Sequence, residues 1–142
     1  MLLLLLVAAS ALALPQVNAD KTSVTVSGIS SGAFHAAQLQ VALSSRITGA
    51  AVIAGGIYGC AEGKAARALS PCMQSPEKIV TDRFVASARR AAARGRIDPL
   101  AGLARARIFL FHGQANSIVK PAALEKSREF FGSFLPQERR RW

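Results

Sequence analysis

The stretch "VTVSGISSGAFHAAQL", residues Val24–Leu39, decides the fold. Alternation across Ser23–Ser27, with two β-branched valines, predicts a short strand. Gly28–Gly32 predicts a tight turn, and the apolar residues from Ala33 onward predict a largely buried helix. The turn matches G-x-S-x-G with Ser30 at its centre, a pattern that mounts a nucleophilic serine on a strained strand-to-helix turn. The stretch therefore predicts a nucleophile elbow, and an ordinary glycine–serine turn that opens a βα unit is the alternative.

Three neighbours of Ser30 have predicted roles in this turn. Gly28 and Gly32 carry no side chain, so the backbone can pass closely on either side of the serine. The amide of Ser31 lies at the predicted N-terminus of the helix, where it can donate a hydrogen bond to a developing oxyanion. The nucleophile and one oxyanion donor are therefore expected on adjacent residues.

Neither histidine of the sequence is predicted to be the general base for this serine. His35 follows Ser30 on the predicted helix, where its side chain is expected to point away from the serine. His112 precedes Gly113 at the end of a predicted strand, and we expect it to support the loop that follows. The residues alone therefore leave the base unassigned.

The rest of the chain alternates strands with helices. The apolar runs "ITGAAVIAGG" (Ile47–Gly56) and "RIFLFHG" (Arg107–Gly113) predict two buried strands of a parallel sheet. Between them a helix is predicted to be capped by Ser75 and to stop at Gly95. A last amphipathic helix is predicted over Pro121–Leu135. Strands that alternate with helices predict an α/β fold, a three-layer sandwich over a mainly parallel sheet.

The N-terminal residues Met1–Leu14 are apolar and uncharged, but they are too few to span a bilayer. They predict the apolar core of a secretory signal peptide, residues 1–19, with cleavage after Ala19 favoured and cleavage after Ala13 as the second candidate. Cleavage after Ala19 would leave residues 20–142 as one domain without a transmembrane span. The expected location is secreted, either extracellular or periplasmic, and a buried first helix is the alternative.

The two cysteines, Cys60 and Cys72, predict a disulfide if the chain is exported. In a chain that stays inside the cell, a pair of free buried thiols is the better interpretation. The sequence contains no CxxC motif and no cluster of histidines and cysteines. We therefore expect no metal site and no cofactor.

The net charge is +10, and the arginines are concentrated in three segments, residues 83–96, 104–107 and 139–141. A basic surface can hold nucleic acid or an anionic membrane. The first of these segments is an alanine-rich helix without interleaved aromatic residues, and no helix-turn-helix or zinc-finger spacing is present. The charge pattern therefore favours a solvated arginine-rich face, and no nucleic-acid partner is expected.

Three ordered motifs carry a family resemblance: "GISSGAFHAAQLQVALSSRITGAAVIAGG", "YGCAEG…C" and "IDPLAGLARARIFLFHGQANSIVKP". Over about Asp20–Leu135 the chain resembles the extracellular poly(3-hydroxybutyrate) depolymerases, secreted serine esterases of the α/β-hydrolase superfamily. The resemblance implies a circularly permuted strand order, which puts the elbow near the mature N-terminus. It also implies that Ser30 forms an acyl-enzyme with a polyester, that the Ser31 amide lines the oxyanion hole, and that Cys60 and Cys72 are bonded.

The sequence departs from this family at two points. Asn116 stands where the motif H-G-x-x-D-x-x-V has the triad acid, and an amide cannot supply the negative charge that stabilises an imidazolium. The family's histidine follows the acid loop, whereas no histidine follows His112. Without a base, Ser30 is an ordinary alcohol. We therefore expect a C-terminally truncated member whose sheet is incomplete on that side and whose esterase activity is weak or lost.

Two other functions remain open from the sequence. One is a different carboxylesterase with the same elbow, such as a feruloyl-type esterase, or a peptidase. The other is a non-catalytic protein that binds the surface of a polyester granule, or an anionic surface through its arginines. The expected partner in the favoured interpretation is a polyhydroxyalkanoate substrate or granule, and the oligomeric state is not predicted.

Overall fold

A three-stranded parallel sheet in the order β1-β2-β3 is the centre of the computed structural model, which describes residues 17–140. Its strands are β1 (Val24–Ile29), β2 (Ile47–Ile53) and β3 (Arg107–Phe111). The predicted signal peptide lies almost wholly outside the described residues. The parallel α/β sheet expected from the sequence is confirmed.

The connections between the strands are helical, as a parallel sheet requires. The α-helices are α1 (Ser31–Ala42), a single turn α2 (Ala65–Arg67), α3 (Thr81–Ala93) and α4 (Pro121–Gly132). The segment Ala68–Met73 is an irregular helical stretch that is interrupted at Ser70, whose φ of −151° and ψ of 122° are extended. Short 3₁₀ turns cover Pro76–Lys78, Leu100–Arg105 and Gln137–Arg139. Within residues 17–140, none of these helices has the length and apolar character needed to cross a bilayer.

The core lies between one face of the sheet and the helices. Val52 and Leu110, paired across β2 and β3, face α1 and α4 within this core. Phe130 and Phe131 of α4 are its largest fully buried side chains. Phe130 lies 5.2–5.7 Å, between ring centroids, from its three aromatic neighbours Tyr58, Phe131 and Phe134. The contact with Tyr58 joins α4 to the segment that follows β2, whereas Phe131 and Phe134 belong to the end of α4 and the residues just after it.

The opposite face of the sheet is uncovered by the described residues. Ile29, Phe109 and Phe111 alternate with the core residues and are 67%, 57% and 53% exposed. The prediction that Arg107–Gly113 is a buried strand is therefore wrong for this face of β3. In the run "RIFLF", apolar residues occupy both faces of the strand. The sequence therefore lacks the apolar–polar alternation that would indicate burial of one face only.

The single helix predicted from Ser75 to Gly95 is two helical pieces. Ile79 and Val80 have extended backbone between the 3₁₀ turn Pro76–Lys78 and α3. The extended conformation carries Ile79 into the core, where it is almost fully buried. The Ser75 side chain makes no capping hydrogen bond. The predicted stop is confirmed, because Gly95 has a φ of +66° and its amide bonds back to the end of α3.

Helices α3 and α4 are joined by a polar contact at the start of α3. The hydroxyl of Thr81 donates a hydrogen bond to the carboxylate of Glu129. This bond, helped by Lys126, holds the pKa of the Glu129 carboxyl below its ordinary value. The bond joins the first residue of α3 to the C-terminal part of α4.

Candidate active site

The turn around Ser30 has the geometry of a strained elbow. Strand β1 ends at Ile29, helix α1 begins at Ser31, and Ser30 between them has φ 55° and ψ −121°. A non-glycine residue with positive φ is uncommon and costs backbone energy. The Ser30 amide donates to the Ile53 carbonyl at 3.0 Å, and its own carbonyl accepts from the Ala33 amide at 3.0 Å. The strain is therefore held in place from both sides of the turn.

Gly28 is required by the close approach of β1 to the start of α1. A Cβ atom at Gly28 would lie 2.8 Å from the Ala33 amide nitrogen and closer still to the Gly32 carbonyl group. A Cβ atom at Gly32 would meet nothing within 4 Å. The sequence predicted close backbone passage at both glycines, and the structure places it at Gly28 only.

The amide of Ser31 is available at this turn. Ser31 is the first residue of α1, so its N–H has no acceptor within the helix. The N-terminus of a helix also carries partial positive charge. An anionic oxygen placed beside Ser30 would therefore meet a favourable donor.

A cavity of about 460 Å³ opens beside Ser30. One wall is the exposed side of α1, with Phe34, His35 and Gln38, and the other is the loop Gly59–Met73. The lining is mainly apolar, and the volume is in the range of sites for small organic ligands. The cavity can therefore hold an apolar group next to the serine hydroxyl.

The loop Gly59–Met73 is held by a disulfide, a hydrogen bond and an ion pair. The predicted disulfide between Cys60 and Cys72 is present, and both cysteines line the cavity. The Gly59 amide donates to Gln38 Oε1 at 2.9 Å, which ties the loop to α1. Glu62, on the rim, forms an ion pair with Arg83 of α3 at 2.7 Å. The wall of the cavity is thus held by covalent, polar and ionic contacts.

His35 and Glu62 are cavity residues that the sequence reasoning missed. His35 lines the same cavity as Ser30, although its side chain was expected to point away. Helical side chains lean toward the N-terminus, which brings His35 back over the turn that contains Ser31. In residues 17–140, no hydrogen bond joins His35 to Ser30. Glu62 has a φ of 48° and precedes Gly63. The dipeptide "EG", which is typical of a turn, was the one sequence feature that could have indicated this position.

Asn116 lies in the loop after β3, where its side chain builds a turn. Its Oδ1 accepts hydrogen bonds from the amides of Ile118 at 3.0 Å and Val119 at 3.1 Å. His112 Nε2 lies 2.8 Å from the Val119 carbonyl, and a carbonyl only accepts, so this partner assigns the proton to Nε2. His112 therefore supports the loop, as the sequence predicted.

Asn116 does not reach the cavity beside Ser30. Neither Asn116 nor His112 lines it. Ser30 and Asn116 follow the carboxyl ends of β1 and β3, so both lie at the same edge of the sheet. Two strand spacings separate β1 from β3, which corresponds to roughly 10 Å. Within the part of the chain that the structure describes, no three histidine, cysteine or carboxylate side chains are grouped to hold a metal ion.

Asn116→Ala is expected to lower the free energy of unfolding by about 1 kcal/mol, because two loop amides lose their acceptor. Asn116→Asp keeps an acceptor oxygen and is expected to retain the stability of the parent chain. Thermal unfolding checks both variants, and hydrogen exchange at Ile118 and Val119 checks the loop. An aspartate variant as unstable as the alanine variant would contradict the assigned turn.

The chain is similar in sequence to two depolymerases of known name. No family model matches the chain. It is 43% identical over 128 residues to the poly(3-hydroxybutyrate) depolymerase of Delftia acidovorans. It is 32% identical over 126 residues to the polyhydroxybutyrate depolymerase of Talaromyces funiculosus. The resemblance to the poly(3-hydroxybutyrate) depolymerases is confirmed.

Solved depolymerase structures share the fold. The crystal structure of the PHB depolymerase from Penicillium funiculosum matches with a TM-score of 0.75 and 29% identity over 86% of this chain. A serine-to-alanine PHB depolymerase complexed with an R3HB trimer matches with a TM-score of 0.77 and 30% identity over 89% of this chain. The α/β-hydrolase-like fold expected from the sequence is therefore confirmed.

The matches cover nearly all of this chain but only part of each relative. The matched region covers 89% and 88% of this chain, but 26% of the Delftia depolymerase and 36% of the Talaromyces depolymerase. It covers 37% and 39% of the two solved depolymerase chains. A non-catalytic surface-binding protein is not favoured by these comparisons, because the matched proteins are named as depolymerases.

Proposed function

We propose that the chain is a secreted hydrolase that cleaves ester bonds of poly(3-hydroxybutyrate), or of a related polyester, through an acyl-enzyme at Ser30. The observation that carries the proposal is the strained turn at Ser30, which opens on an apolar cavity beside a free helix amide. The depolymerase relatives supply the substrate class. Residues 1–19 are proposed to be the signal peptide, and residues 20–142 to belong to the catalytic domain.

The proposed reaction has two steps. The Ser30 oxygen attacks the ester carbonyl, its proton passes to a base, and the Ser31 amide stabilises the oxyanion of the tetrahedral intermediate. The intermediate expels the alcohol, which takes up that proton, and leaves an acyl group on Ser30. Water then attacks the acyl-enzyme and releases a carboxylic acid, which ionises, while Ser30 regains its hydroxyl. The apolar wall of the cavity would hold the acyl chain during both steps.

We further propose that this chain is a weak catalyst. Asn116 stands at the position of the triad acid, and its oxygen is already engaged by two loop amides. An amide in place of the triad aspartate lowers the turnover of a serine protease about 10⁴-fold. The histidine is then no longer held in the correct tautomer, and its positively charged form has no counter-charge. Among residues 17–140, neither imidazole forms a hydrogen bond with the Ser30 hydroxyl.

The test is to express the full chain in a bacterium and to sequence the N-terminus of the exported product, with Asp20 expected first. Slow hydrolysis of a short-chain 3-hydroxybutyrate ester is expected, and Ser30→Ala should reduce it to the rate without protein. Ser31→Ala is the matched control, since it keeps the backbone amide. Equal turnover in the Ser30→Ala variant would overturn the assignment. Faster cleavage of a feruloyl ester would favour the other esterase class.

A further inference from the structure

Three arginines lie on one exposed side of α3, two of them within the helix and one at the residue that caps its C-terminus. Arg83, Arg90 and Arg94 are separated by seven and then four residues, a spacing that places them on the same side of a helix. All three are exposed, as is Ser87, which lies between them on this side. We call this set of arginines the α3 stripe.

Most of the charge of the α3 stripe is uncompensated. Arg83 is paired with Glu62, whereas no carboxylate in residues 17–140 lies within ion-pair distance of Arg90 or Arg94. The C-terminal end of a helix favours positive charge, which accounts for arginines near Arg94. That effect acts within the last turn and does not explain a stripe that continues back to Arg83.

The stripe begins at the rim of the Ser30 cavity. Arg83 contacts Glu62, and Glu62 lines the cavity. Arg94 follows eleven residues later, which is about 16 Å along the axis of α3. The cavity and the stripe therefore form one continuous surface, with the stripe leading away from the serine along the side of the molecule.

The product of ester hydrolysis suggests a partner for this basic surface. Each cleavage leaves a carboxylate at a chain end, so a polyester becomes anionic where it has been cut. We propose that the α3 stripe docks the protein on carboxylate chain ends at a polyester surface, an inference that rests on the proposed function. The complementarity is one of charge. A nucleic-acid strand fits less well, because the stripe has no aromatic residue on which bases could stack.

The experiment measures adsorption on two films of poly(3-hydroxybutyrate), one treated with base to expose carboxylate ends and one with those ends methyl-esterified. All variants carry Ser30→Ala, so the films stay intact. The test variant adds Arg90→Gln and Arg94→Gln. The control adds Lys21→Gln and Arg107→Gln, which remove the same charge from exposed positions outside α3.

The test variant is expected to bind the carboxylate film roughly tenfold more weakly at low salt, and the control is expected to bind like the parent. The difference should vanish in about 0.5 M salt, which screens exposed charges. Equal losses in both variants would overturn the proposal, because net charge alone would explain them. So would equal binding of the parent to both films, or tighter binding to duplex DNA than to the carboxylate film. Hydrolysis of the soluble 3-hydroxybutyrate ester by the protein that retains Ser30 tests the proposed function separately.

Discussion

Gly28→Ala is expected to leave little folded protein. The new Cβ would lie 2.8 Å from the Ala33 amide nitrogen and closer to the Gly32 carbonyl, and all of these contacts are to backbone atoms. Because strand β1 and helix α1 are both held by the sheet, the backbone cannot move aside without breaking the elbow. Overpacking of this kind costs about 3 kcal/mol or more. Circular dichroism and urea unfolding measure the loss.

Gly32→Ala is the matched control within the same motif. Its Cβ would meet nothing within 4 Å, and Gly32 is in the first turn of α1. Alanine is the better helix former by about 1 kcal/mol, so the stability should be equal or slightly higher. If Gly28→Ala unfolds at the same urea concentration as Gly32→Ala, the close approach of the Gly28 backbone to Gly32 and Ala33 is wrong.

Phe130→Ala is expected to cost about 3 to 5 kcal/mol of unfolding free energy. Phe130 is fully buried and contacts the rings of Tyr58, Phe131 and Phe134. Removal of the ring leaves a cavity between α4 and the rest of the core. Tyr58, which precedes the loop Gly59–Met73, borders that cavity. Urea unfolding followed by tyrosine fluorescence measures the change.

Phe109→Ala is the control for that substitution. Phe109 is 57% exposed on the uncovered face of β3, so the same change of side chain should cost less than about 1 kcal/mol. Equal losses for Phe109 and Phe130 would mean that the uncovered face is buried in solution. The pair therefore tests the core and the one-sided sheet together.

The elbow was predictable because its determinants are local. Strand, turn and helix follow one another within Val24–Leu39, and the glycine spacing fixes the serine between them. The structure adds what the pattern cannot contain, namely which glycine the packing requires. That depends on the approach of the Gly28 backbone to Ala33, and both glycines look alike in the sequence.

Other elements were mispredicted because tertiary contacts override local preference. Ser75 and Pro76 are good helix-start residues, yet burial of Ile79 interrupts the helix before Thr81. The apolar run of β3 suggested burial on both faces, but the described helices all pack against one face.

The candidate site was predictable only in part for a similar reason. The serine, its neighbouring amide and the loop role of His112 follow from local pattern. The cavity does not, because one of its walls is a loop that returns to α1 through Gln38 and the disulfide. His35 lines the other wall, on α1, because helical side chains lean toward the N-terminus of the helix, and its distance from Ser30 in the sequence does not show this.

The backbone of Ser30 sets chemistry against stability over evolutionary time. A positive φ costs a serine about 1 to 3 kcal/mol that glycine would avoid. A lineage selected only to stay folded would therefore drift toward glycine at this position and lose the hydroxyl. Serine at position 30 keeps a hydroxyl on this strained turn, although glycine there would relieve the backbone cost.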